Sequence, residues 1–74
     1  MDIGSRIRAA RKAANLSQEE LARRAGVPLN RVGRIETGVV MDPHISTMNS
    51  IADGLGVPVA ELLEGEEHPL AVAR

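Results

Sequence analysis

The sequence predicts an all-α fold of five short helices, and three observations predict it. Apolar residues recur at helical spacing in five separate stretches. Capping residues, glycines and prolines stand where those stretches begin and end, from Ser17 through Gly26, Pro28, Gly38, Gly56 and Pro58 to Gly65. At 74 residues, the chain has room for one domain with one small core.

Ile3, Ile7, Ala10 and Ala14 fall on one helical face with Arg6, Arg8, Arg11 and Lys12 between them, which predicts a first helix over roughly 3–14. The second helix opens with a complete start signal. Ser17 can cap the free amides, Glu20 can cap back three residues later, and Leu16 can staple onto Leu21. Leu21, Ala22 and Ala25 then share a face, while Glu19, Arg23 and Arg24 lie elsewhere. Gly26 stops this helix, because a residue without Cβ takes positive φ at little cost and lets the chain turn sharply. Val27 and Pro28 launch the third helix. Its inward stripe is Val32 and Ile35, which leaves Leu29, Asn30, Arg31, Gly33 and Arg34 mostly outward until Thr37 and Gly38 end it. The segment GVVMDPH follows as a loop. Ile45, Met48, Ile51, Ala52 and Leu55 mark a fourth helix from about 45 to 55, ended by Gly56. Gly54 inside it is expected to cost about 1 kcal/mol against alanine. Pro58, Val59, Leu62 and Leu63 suggest a short fifth helix closed by Gly65, so the domain is expected to span 1–65. Pro69 breaks any continuation, and the tail 66–74 reads either as disordered or as a dimer contact through Leu70 and Val72.

A small residue at Ala22, a glycine turn at Gly26 and apolar anchors at Val32 and Ile35 are what two helices crossing steeply at close range require. With LSQEELA, AGV and RIETG in that order, the stretch resembles the helix-turn-helix of the Cro and phage-repressor type, often called Xre-like; the similarity runs from about Ile3 to Leu63. The resemblance implies a compact five-helix, lambda-repressor-like DNA-binding domain with its helix-turn-helix formed by helices 2 and 3. It implies base-reading positions at Leu29, Asn30, Arg31 and Arg34, and phosphate contacts from Gln18, Arg23, Thr37 and Gly38. Arg11 of the first helix and Glu36 at the end of the third match the family's structural pair; an exposed pair of this kind would contribute about 0 to 1 kcal/mol.

Each expected contact has a chemical basis. The major groove is about 12 Å wide and admits one helix; asparagine can bond adenine in bidentate fashion, arginine guanine, and an apolar side chain can cover a thymine methyl. Leu29 could serve either as that apolar cover or as core beside Val32. Gln18 stands at a helix start, where amides and dipole favour an anion, or is simply an exposed first-turn residue. Arg6, Arg8 and Lys12 read equally as phosphate contacts or as a solvated basic face. Gly33 reads equally as a close approach to DNA or as drift at an exposed site. One helix reads few base pairs, so a homodimer on an inverted-repeat operator is expected, with half-sites about 34 Å apart.

Charge supports this direction. The formal net charge is -1 with a pI near 6.1, but the charges are segregated: residues 1–35 hold eight basic against three acidic residues, and residues 36–74 one against seven. There is no Phe, Tyr or Trp, which removes base stacking and favours duplex over single-stranded partners. No cysteine is present, and no apolar run reaches the length of a membrane span or secretory core, so a soluble, unprocessed, cytoplasmic protein is expected. Asp42 and His44 lack further ligands nearby, so no metal or cofactor is expected. His44 and His68 stand isolated from any nucleophile, which argues against an enzyme. The rival reading is a protein-interaction module, such as an antitoxin holding a toxin; it would keep the fold without needing outward Asn30, Arg31 and Arg34.

Overall fold

The computed structural model describes residues 2–63, and five helices succeed one another: α1 (Ile3–Ala13), α2 (Gln18–Ala25), α3 (Leu29–Glu36), α4 (Ile45–Leu55) and α5 (Val59–Leu63). Gly65 and the tail, with Leu70, Val72 and His68, lie outside the described residues.

The Asp2 carboxylate caps α1 by accepting the Ser5 amide at 2.8 Å, and these hydrogen bonds with Ser5 hold Asp2 below its ordinary pKa. The helix ends one residue short of expectation, with Ala14 exposed beyond the buried stripe. Asn15 then takes a left-handed turn (φ 60°), and the amides of Asn15 and Leu16 return to the Lys12 and Arg11 carbonyls, each at 3.0 Å. This closes the free carbonyls of α1 and aims the chain into α2. There the capping box is complete: Ser17 Oγ accepts the Glu20 amide at 3.0 Å and Glu20 accepts the Ser17 amide at 2.8 Å. Gly26 ends α2 at φ 71°, the conformation its missing side chain permits.

Ile7, Leu21, Val32, Ile35, Ile51 and Leu62 form the fully buried centre, so every helix contributes to one core. Leu16 joins that core beside Leu21, as the staple requires. Ile45 departs from the expected α4 stripe. It is 63% exposed, while Thr47 and Met48 in the same first turn are the residues buried there. Two close approaches set the layers. A Cβ on Gly54 would stand 3.1 Å from the Ala25 amide nitrogen and 3.2 Å from Leu21 Cδ1, so the glycine that weakens α4 is what lets α2 cross it. A Cβ on Gly4 would collide with the carbonyl oxygen of Ile35, so α1 meets the end of α3 backbone to backbone. α5 packs on α4 and α1. Arg6 belongs to this junction: its Nη2 and Nε donate to the Glu61 carbonyl at 3.1 and 3.4 Å, so it is neither free for a phosphate nor merely solvated.

Candidate nucleic-acid interface

Val32 and Ile35 are buried to within 1% of complete and pin one face of α3 to the core. The opposite face carries Leu29, Asn30, Arg31 and Arg34, all exposed. Leu29 is 44% exposed, which settles its sequence ambiguity against a core role. The side chains of Asn30, Arg31 and Arg34 form no hydrogen bond or ion pair among the described residues, so their polar ends are uncommitted. Gly33 lies on the same side, where a Cβ would find nothing nearer than Gln18 Oε1 at 3.9 Å. Packing therefore does not require this glycine.

The expected Arg11 and Glu36 pair forms, but it is buried rather than exposed. Arg11 Nε and Nη2 donate to Glu36 Oε2 and Oε1 at 2.7 and 3.1 Å, with side chains 11% and 2% exposed. Arg11 Nη1 also donates to the Leu16 carbonyl at 2.8 Å, just ahead of the α2 cap. A third member is Gln18, whose Nε2 donates to Glu36 Oε1 at 3.0 Å. Sequence reasoning missed this bond. The packing of α2 on α3 brings the start of one helix to the end of the other, and no local pattern announces it.

At the far end of α3, the Thr37 hydroxyl donates back to the Gly33 carbonyl at 2.9 Å. The amides of Thr37, Gly38 and Val40 donate to Gly33, Ile35 and Arg34 carbonyls at 3.0, 3.2 and 3.0 Å. The Val39 amide has no acceptor among the described residues.

The helix-turn-helix family profile matches residues 7–62, the span that holds every contact just described. The chain belongs to the helix-turn-helix family, of the Cro and phage-repressor type. It is 36% identical over 67 residues to the immunity repressor protein of Bacillus phage phi105, a match covering 90% of this chain and 45% of that relative. It is 38% identical over 65 residues to the cryptic phage CTXphi transcriptional repressor RstR of Vibrio cholerae, covering 88% of this chain and 58% of that relative. The chain thus spans about half the length of these curated relatives.

In this helix-turn-helix domain the remaining basic residues lie on α2 and on the preceding α1. Arg23 is exposed in the last turn of α2 with Arg24, and Arg8 and Lys12 are exposed on α1. Between α3 and the following loop lies a cleft of about 270 Å³ lined by Arg31, Asp42 and His44 among others. No group of three His, Cys, Asp or Glu gathers to hold a metal among the described residues. The loop and the α4 start expose Val39, Met41 and Ile45 at 70, 81 and 63%. No described helix is long and apolar enough to cross a membrane.

Proposed function

We propose that this helix-turn-helix protein is a sequence-specific, duplex-DNA-binding transcriptional repressor that reads the major groove with α3 as a cytoplasmic homodimer on an inverted repeat. The observation that carries this reading is the division of α3. Val32 and Ile35 lock the helix from behind while the side chains of Asn30, Arg31 and Arg34 stand exposed with no partner of their own among the described residues. Buried anchoring with uncommitted polar groups in front is what base recognition asks of one helix. The basic half of the chain and the two repressors among its relatives point the same way.

In this arrangement Leu29, Asn30, Arg31 and Arg34 meet base edges, and Gln18 and Arg23 meet phosphates. Thr37, Gly38 and the neighbouring Val39 amide approach the backbone from the loop side, with Val39 the donor whose hydrogen is still available. Val39, Met41 and Ile45 offer apolar surface beside the end of α3 for a second copy. The role calls for no cofactor, metal or catalytic residue.

Selection of sites from random duplex DNA at moderate salt tests the proposal. An inverted repeat should emerge; Asn30→Ala and Arg34→Ala should each cost about 1 to 3 kcal/mol per half-site on it and relax one base preference. Enrichment of no inverted repeat, or equal losses on selected and scrambled duplexes, overturns it.

A further inference from the structure

Gln18 is the first residue of α2, beside amides that carry the positive end of the helix dipole. A glutamine there ordinarily has freely rotating torsions and an undecided carboxamide, with a donor end and an acceptor end of the same shape. Here both freedoms are removed. Nε2 donates to Glu36 Oε1 at 3.0 Å, and a carboxylate only accepts, so the reversed carboxamide would set its oxygen against a negative charge. One N–H is committed inward and the second remains for an outside acceptor.

The carboxylate that fixes Gln18 is itself fixed. Glu36 takes two donors from the Arg11 fork, is 2% exposed, and shares Arg11 with the Leu16 carbonyl at the entry to α2. The Arg11 charge also cancels that of Glu36, so the positioning device adds no net negative charge beside a phosphate. Gly33 leaves room over the carboxamide, its nearest approach being the 3.9 Å from a Cβ to Gln18 Oε1.

We propose that Glu36 is a positioning residue for DNA, held by Arg11 so that it orients Gln18 to offer its second N–H to a phosphate at the start of α2. This rests on the DNA-binding reading above. A phosphate contact set in this way adjusts affinity for every duplex and leaves sequence preference to α3.

The test separates positioning from folding. Arg11→Met with Glu36→Leu removes both charges together, so neither is left stranded. Anisotropy titrations on a selected and a scrambled duplex should show this pair losing roughly tenfold or more on both, the loss of one hydrogen bond to a charged group, with its melting temperature near the parent's. Gln18→Ala should lose a similar factor, and the triple variant should lose no more than Gln18→Ala alone. A pair variant that binds like the parent, or a triple variant whose losses multiply, overturns the proposal. The carboxamide protons of Gln18 in the ¹⁵N-labelled parent give a reading that needs neither DNA nor a variant that folds. They should resonate far apart with one proton shifted downfield; the averaged signature of a free glutamine overturns the anchoring. If the parent binds no duplex, the functional reading fails, and a free-glutamine spectrum alone would sink the network itself.

Discussion

α2 and α3 are both eight residues long and belong to one motif, yet they are held by opposite means. α2 carries its own instructions: a reciprocal capping box at one end and a left-handed glycine at the other. α3 begins at Pro28 with no side-chain cap, has Gly33 in its interior, and is secured at its far end by α1. There Glu36 meets Arg11, and Gly4 lets α1 press against the Ile35 carbonyl. A helix fixed from behind and from one end keeps its outer face free of internal obligations. In this protein that face holds Asn30, Arg31 and Arg34.

Removing the tertiary anchor should have the largest effect. Glu36→Ala leaves the Arg11 guanidinium, 11% exposed, without its counter-charge, which costs about 3 to 5 kcal/mol. That matches the few kcal/mol expected for a domain of this size, so circular dichroism in a urea series should find the variant largely unfolded in buffer. A loss under 1 kcal/mol would mean that packing alone secures α3.

The local device should matter less. Ser17→Ala deletes one half of the capping box and should cost about 1 kcal/mol by the same measurement. The box also makes α2 sensitive to acid. Hydrogen bonding from the Ser17 backbone amide, and then its side chain, lowers the Glu20 pKa in the folded chain. Its stabilisation is therefore complete above the ordinary glutamate value and is lost as pH falls through the lowered one. Melting temperature should drop on acidification through that range, and Glu20→Gln should flatten part of the drop, leaving the share due to Asp2, which is lowered in the same sense. An unchanged acid profile in Glu20→Gln would show that the cap does not titrate with folding.

The smallest change should carry the opposite sign. Gly33→Ala places a methyl where nothing stands within 3.9 Å and should raise stability by about 0.5 to 1 kcal/mol. On DNA the same methyl should weaken binding if α3 approaches the duplex there; unchanged affinity would leave the glycine to drift.

The sequence by itself determined the five helices, the Ser17 start and Gly26 stop of α2, and the Val32 and Ile35 anchors of α3. These signals act within about one helical turn, and a capping box joins residues three apart. Resemblance added the Arg11 and Glu36 pair. Only the tertiary structure decided that this pair is buried, that Gln18 completes it, that Arg6 serves the end of α5, and that Leu29 and Ile45 stand outside the core. It also turned Gly54 from a cost into a crossing point and gave Gly4 a purpose. Those bonds join residues 18, 25 and 55 positions apart. At such separations the partner is chosen by how helices cross, and periodicity along one helix carries no record of the angle at which another will meet it.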